Sequence, residues 1–524
     1  MQTPRKFGLF ILFTTAVLFA GACASVKPGL DYDRVSTHVE TVIGQPISYR
    51  PGDDPAVQLM VNTMLDDGLT ADEAVRVALL NNPRVWAALL RTGMARADVV
   101  QAGLFSNPTL GLSFKLPEGG GLTQFEMGLA QNIADLWMIP ARSRAARRDL
   151  ERTILETART AAGIANDTRV AYYSAVGAQR ALEISRENLK LVERLLGITD
   201  ARLEAGTVGA LDVNLVKGLA LQAQVDERNA RLAAATAGRT LATLLGLETP
   251  AEDLRLLDLL PDPVAAPIDP LRLVEIARNS RLDLRAAREN VFAAEARVAA
   301  EYSKVFQNVE IGLDLERGAQ RSTPGRKVLA ATARASIANG GLTAPDIESR
   351  GQRRLAESER IDAILGPSLS VTLPLFDQNQ AQIAKAKLAL QEADALLESL
   401  QRTVVQETRE AVDRVTTAWG VAQLYDQEVL PQARTTLELS ESAYQVGQTP
   451  ILNVIEAQRL LLETRQSYVA ALQSAANALV DLERATARPA MFLLQSTDAT
   501  TQPAPTRSEA MPGAGVADPQ ETDR

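Results

Sequence analysis

The spacing of apolar residues along the chain alternates between two periods, and it does so twice in the same order. From Leu69 the spacing is helical, with Ala74, Val77, Leu80, Val85, Ala88 and Leu89 carrying it toward Phe105. Thr70 and Glu73 stand where a capping box would start that helix, and Asn82-Pro83 predicts a kink or short break within it. Between Thr109 and Leu116 the period falls to two: Leu110, Leu112, Phe114 and Leu116 alternate with Gly111, Ser113 and Lys115. After Glu118-Gly119-Gly120-Gly121 the same alternation returns in Phe125, Met127 and Leu129, set against Gln124, Glu126 and Gly128. The two runs predict a β-hairpin with one apolar face. From about Asp135 to Leu203 the chain is helical again, and one helix of that span would be about 100 Å long. It turns at Gly206 and returns to about Leu245, where Pro250, Pro261, Pro263, Pro267 and Pro270 mark a loop closing the first half.

The second half repeats this order. A helix is expected from about Leu271 to Lys304, with Leu282-Asp283-Leu284 near the place of the Asn82-Pro83 break. A strand follows in which Val309, Ile311, Leu313 and Leu315 alternate with Glu310, Gly312 and Asp314. The returning strand is read over Ser368–Leu375, with Leu369, Val371, Leu373 and Leu375 on one face and Pro374 near its end. A long helix from about Ala381 to Tyr444, broken near Pro431, leads to a turn at Gly447 and a last helix to about Ala487.

The two turns are themselves alike. Ala205-Gly206-Thr207-Val208-Gly209-Ala210-Leu211-Asp212-Val213 matches Val446-Gly447-Gln448-Thr449-Pro450-Ile451-Leu452-Asn453-Val454 without a gap. Gly206 and Gly447 sit where a left-handed residue would end the incoming helix, and Asp212 and Asn453 are candidates to cap the outgoing one. The strands of the two halves are offset by about 40 residues less than the turns, so the second half carries an insertion of about that size, at about 318–365. The expected organisation is a signal peptide at 1–22, an extended N-terminal tail at 23–66, one repeat at 67–265, a second at 266–487 and a disordered tail at 488–524.

Composition narrows the function. Aromatic residues are 4 % of the chain and the formal net charge is −9, with no basic concentration that would suit nucleic acid. One histidine, His38, and one cysteine, Cys23, leave no basis for a zinc or copper site or a histidine-based triad, so neither metal nor cofactor is expected. Arg5 and Lys6 precede an apolar run from Phe7 to Ala20 of the length a secretion signal needs. That run ends in Leu18-Phe19-Ala20-Gly21-Ala22-Cys23, which resembles a bacterial lipoprotein box with Cys23 as the lipidated first residue. The competing reading is ordinary cleavage after Ala22 or Ala24. No other window offers about 18 consecutive apolar residues, so a membrane span of the mature chain would have to be built from strands. Four strands cannot close a membrane barrel, which starts at about eight, and their edges would have to pair with those of further chains. On the face opposite the leucines, Lys115, Glu126, Glu310 and Asp314 would line a lumen.

In order and duplication these features resemble the TolC family of outer membrane efflux proteins. The resemblance covers about 69–487 and rests on Leu69-Thr70-Ala71-Asp72-Glu73-Ala74, Asn107-Pro108-Thr109-Leu110, Arg202-Leu203-Glu204-Ala205-Gly206, Leu373-Pro374-Leu375-Phe376-Asp377 and Tyr444-Gln445-Val446-Gly447, with Leu211-Asp212-Val213 and Leu452-Asn453-Val454 after the turns. It implies a mainly α fold with a membrane β-barrel. Four strands from each chain of a homotrimer would complete a twelve-stranded barrel, continued by duplicated helical hairpins that form a periplasmic α-barrel. It further implies a passive exit duct in the outer membrane of a Gram-negative bacterium, with a periplasmic membrane-fusion adaptor and an inner-membrane efflux pump as partners and drugs or metal cations as cargo. Adaptor contacts would fall on Gly206, Leu211, Asp212, Gly447 and Leu452. Acidic rings of the family's periplasmic gate map onto Asn453 and Glu456, the first departing from the usual Asp. Leu373–Gln380 looks like the branch serving heavy-metal cation pumps. The alternatives are the duct of a type I protein-secretion system, a pore-free periplasmic coiled-coil scaffold that would leave the strands unexplained, and a hydrolase without a nucleophile–base constellation.

Overall fold

The computed structural model describes residues 25–45, 55–116, 123–247, 254–261, 268–319, 337–340 and 361–489. Two short helices, α1 (Gly29–Ile43) and α2 (Pro55–Asp67), precede α3 (Ala71–Asn81) and α4 (Pro83–Ala102). Strands β1 (Thr109–Lys115) and β2 (Gln124–Asn132) follow, and then α5 (Asp135–Glu204) and α6 (Ala210–Leu245). The second half runs through α7 (Pro270–Ser280), α8 (Leu282–Ser303), β3 (Val309–Ala319), β4 (Ile361–Val371), α9 (Gln380–Leu424), α10 (Leu430–Gln445) and α11 (Ile451–Thr486).

Local chemistry explains the breaks. Thr70 and Glu73 form the expected capping box at the start of α3. Asn82 both ends α3 and caps α4, its side-chain oxygen accepting from the Arg84 N–H at 2.8 Å, with Pro83 in the first helical turn where a missing N–H costs nothing. Its amide also donates to the Leu244 carbonyl at 2.8 Å, and Asn81 donates to the carbonyls of Leu245 and Gly246, so the end of α6 is closed by the α3–α4 joint. Between α9 and α10 one π-helical turn, Tyr425–Val429, precedes Pro431.

At 70 residues, α5 is about 105 Å long and is the spine of the molecule. It packs along α6 and α8 and touches α1, α3, α4 and α11, while α9 packs on α8 and α11. The largest core lies at mid-height, where Leu69, Val75, Ile154, Tyr172, Leu241 and Leu245 are buried together. Tyr172 ties this region, donating to the Leu69 carbonyl at 2.8 Å and accepting from the Asp258 N–H at 3.0 Å. Burial pushes its phenol up to about 12, so it stays a hydrogen-bond donor. The segment around Leu256, part of the proline-rich connection, makes a parallel bridge with Leu69.

The four strands form one antiparallel sheet in the order β1-β2-β3-β4. Both halves therefore feed a single sheet, and β1 and β4 are its edges.

Three expectations are corrected. The segment before residue 67 is not simply extended: α1 buries Tyr32, Val35, Val39, Val42 and Ile43 on one face, and Asp31, fully buried, is held by the Arg96 guanidinium at 2.5 Å. The last strand is Ile361–Val371 and not Ser368–Leu375, because Val371 pairs with Val309, the first residue of β3, and leaves nothing for Leu373 to pair with. Asp212 and Asn453 are not N-caps. The N-cap positions are Gly209 and Pro450, and each of the two residues sits three places inside its helix. The signal segment, Cys23, most of the insertion and the chain beyond Pro489 lie outside the described residues.

Candidate functional site

The site has two parts, a sheet at one end of the spine and two helical tips at the other. In the sheet, register decides which residues share a face. Leu110, Leu112 and Phe114 stand opposite Leu129, Met127 and Phe125, and Leu129 and Met127 in turn stand opposite Leu313 and Leu315. This apolar face is open: Leu110, Leu112, Phe114, Ile311, Leu313, Leu365 and Leu369 are all exposed. Alternation puts Lys115, Glu126, Glu310 and Asp314 together on the other face, as expected, with Glu316 as a further acid. Sequence reading missed Glu316 because it stopped β3 at Leu315. Lys115 is paired with Glu126, and Gln124 donates to Glu316 at 2.5 Å.

A second feature missed from sequence is a set of exposed aromatics, one at each strand–helix junction. Phe105 precedes β1, Trp137 follows β2, Phe306 precedes β3 and Phe376 follows β4. An aromatic within a few residues of the helix-side end of every strand was the available signal. Such a row is how a membrane barrel marks its interface. Beneath it the junctions are pinned: Asp135 accepts from the Ser106 N–H at 2.6 Å and from Arg142 at 3.1 Å.

At the other end the duplicated turns have the same geometry. Gly206 and Gly447 are left-handed, at φ 74° and 75°. Thr207 N–H donates to Arg202 O and Gly206 N–H to Leu203 O, both at 2.9 Å. Gln448 and Gly447 repeat this toward Ala443 and Tyr444 at 2.9 and 3.0 Å, so both turns are Schellman motifs. The hairpins meet near their tips, where Val216, Leu437, Ile451, Val454 and Ala457 are buried together and Arg202 lies over the Tyr444 ring at 5.1 Å. Leu211 and Leu452 remain exposed.

The duplicated acid positions differ in what they can do. The Asp212 carboxylate accepts from the Gly209 N–H at 3.2 Å. At the matching place in the second turn Pro450 has no N–H to offer, and Asn453 is exposed with no capping bond. Glu456, one turn further on the same face, is also exposed. Among the described residues no group of acidic, histidine or cysteine side chains could hold a metal ion, and no helix is long and apolar enough to cross a membrane.

The chain matches the family model described as "Outer membrane efflux protein" over residues 74–247 and 273–488. It is 26 % identical over 423 residues to the pyoverdine export outer membrane protein OpmQ of Pseudomonas aeruginosa, covering 76 % of this chain and 81 % of that protein. It is 23 % identical over 427 residues to the cobalt-zinc-cadmium resistance protein CzcC of Cupriavidus metallidurans, covering 79 % and 89 %. In three dimensions it resembles the Campylobacter jejuni CmeC outer membrane channel, with a TM-score of 0.61 and 16 % identity over 82 % of this chain and 88 % of that one.

Proposed function

The chain belongs to the outer membrane efflux protein family, and from that premise we propose that three copies close one barrel and one helical tunnel, forming the exit duct of a tripartite efflux system. The observation that carries this is the sheet: an exposed apolar face, a polar face and two free edges, set about 105 Å from a pair of helical tips. In a hydrocarbon layer each unpaired backbone group on β1 and β4 would cost several kcal/mol, and pairing β4 of one copy with β1 of the next removes that cost. The apolar face then meets lipid and the polar face lines the lumen. Family members work with periplasmic adaptors and inner-membrane pumps. Here the adaptor would dock at the turns through Gly206, Leu211, Asp212, Gly447 and Leu452.

The gate is assigned to the second turn. Three copies of Glu456 converging on one axis repel one another and attract cations, while Asn453 contributes no charge. Ala319 and Ile361, the ends of β3 and β4 that point away from the helices, would then face the cell exterior. The cargo is set by the pump. The relatives named for pyoverdine export and for cobalt, zinc and cadmium resistance resemble this chain to similar degrees, as suits a wall that does not select finely.

Purified protein in a planar bilayer, cross-linked first to fix its oligomeric state, tests the proposal. A trimer that conducts, and whose block by divalent cations weakens in Glu456→Ala, is the expected result. A monomer, or a trimer with no conductance, would refute the duct. Wild-type block in Glu456→Ala would move the gate elsewhere.

A further inference from the structure

Two helix faces near the tips have no partner within the chain. α6 packs on α5, α5 on α11 and α11 on α10, so α6 and α10 stand at the two ends of a row. α6 turns Val216, Ala220, Ala223 and Glu227 into that row. About half a turn away, Leu211, Leu215, Leu221, Val225 and Leu232 are exposed, and Gly218 leaves a notch in the same stripe where an added Cβ would meet nothing within 4 Å. α10 likewise buries Leu430, Ala433 and Leu437 and leaves Leu439 and Val446 exposed on its opposite side. Charges of opposite sign accompany the two stripes. Lys217 and Arg228 on α6, Glu438 on α10 and Glu428 in the π turn before it are exposed and in no ion pair among the described residues. The other charges nearby are directed elsewhere: Arg434 lines a cavity with Glu183 and Glu187 of α5, Asp226 accepts from Gln222 at 2.9 Å and Arg231 donates to Glu227 at 2.7 Å.

We propose that the exposed stripe of α6 lies against α10 of the next copy, and that a Lys217–Glu438 ion pair between copies sets the level at which they pack. This rests on the trimeric duct proposed above. The two hairpins end at one level, because Val216, seventh in α6, shares a buried cluster with Leu437, ninth from the end of α10. Lys217 is the eighth residue of α6 and Glu438 the eighth from the end of α10, each about 11 Å from its turn. Farther up, Arg228 is nineteenth and Glu428 eighteenth from the same ends, so a second opposed pair falls at a second common level. Rotation agrees as well. Lys217 and Glu438 each follow the buried face of their helix by a little over a quarter-turn. In antiparallel helices whose buried faces point apart, that rotation brings both side chains out on the same side of the seam, leaning together. Leu439, within about 3 Å of the level of Gly218, faces the notch. The apolar stripe supplies most of the attraction, and the charges penalise other levels and other partners.

Introduced cysteines test the seam in the full-length protein purified in detergent. Lys217→Cys/Glu438→Cys should give disulfide-linked dimers and trimers on oxidation. Neither single variant should, which also excludes bridges through Cys23. Within one chain the two positions lie at opposite ends of the row, so a bridge between them joins two copies. Val225→Cys should be protected from a maleimide in the trimer and react in the unfolded chain. Charge reversal supplies a second measure. Lys217→Glu should lower the fraction of trimer several-fold at about 0.1 M salt, Lys217→Glu/Glu438→Lys should restore it, and the differences should shrink at about 1 M. A trimer without the Lys217–Glu438 bridge overturns the seam and leaves the duct standing, and rapid labelling of Val225→Cys in that trimer gives the α6 stripe to a different protein. An unchanged trimer fraction in Lys217→Glu, or no rescue by the second substitution, overturns the ion pair. A parent protein that remains monomeric refutes the duct itself, and the seam with it.

Discussion

His38 is the chain's single histidine, and it gives the clearest consequence at the scale of one residue. It is half-buried on α1. Burial, then Arg285 and Arg34, push its imidazole below the ordinary value, with Glu151 acting the other way. A base depressed in the folded state binds its proton more readily when unfolded. Stability is therefore full above the unfolded value of about 6.5 and falls as pH drops toward the folded one. No other side chain has an ordinary pKa in that range, so thermal melting between about pH 5 and 7 should slope upward with pH in the wild type and flatten in His38→Gln. An unchanged slope would mean that α1 does not hold His38 as described. The tips illustrate a different residue-level rule. Asp212 and Asn453 occupy matching positions, yet Asp212 is committed to a backbone N–H that Pro450 cannot supply to Asn453.

At the scale of elements, the joint between α3 and α4 bears more than a helix break. Asn82 accepts from Arg84 N–H to start α4 and donates to Leu244 to finish α6. Asn82→Ala removes both contacts and should destabilise the chain by about 1–3 kcal/mol. Asn82→Ser keeps an accepting oxygen at the cap and should cost less. Chemical denaturation of the two variants in detergent measures the difference; equal losses would assign the whole effect to the Leu244 contact. The second repeat starts α8 after Arg281, with Arg281 and Asp283 joined at 2.6 Å. The same interruption is thus built from an amide in one half and an ion pair in the other.

At the scale of the whole molecule, the question is how the N-terminus reaches the membrane. Pro28 lies beside Gly93 on α4, and from Gly93 to the helix end at Gly103 is about 15 Å. Four residues separate Cys23 from Pro28, and the five steps of chain between them span at most about 17 Å. A lipid on Cys23 could then enter the inner face of the membrane while α1 stays packed on α5. Acylated mature protein in mass spectrometry, and slower trimer assembly of a Cys23→Ser variant whose conductance is unchanged, are the expected results. An unmodified mature N-terminus would sink the anchor. Because the barrel itself inserts, loss of the lipid should not abolish the channel.

Periodicity alone determined most of the elements. The switch from a helical period to a period of two located β1 and β2 and the start of β3, and the matched glycine turns located both tips. These features depend on neighbours in sequence, where side-chain direction follows directly from the period. Asp314 could be placed on the polar face from alternation, but not between Gly128 and Gly366, because that placement is a matter of register between strands distant in the chain. The N-terminal helix was missed for a related reason. Its stripe of Tyr32, Val35, Val39 and Val42 is interrupted by Asp31 and His38, and Asp31 is tolerable there because Arg96, from α4, binds it, with Arg34 also near. The end of β4 was set by where β3 begins and not by any feature of Leu373 or Leu375. Local pattern, then, fixed what most segments from α3 onward are, while pairing and burial between distant segments decided where they stop and which buried charges they can hold.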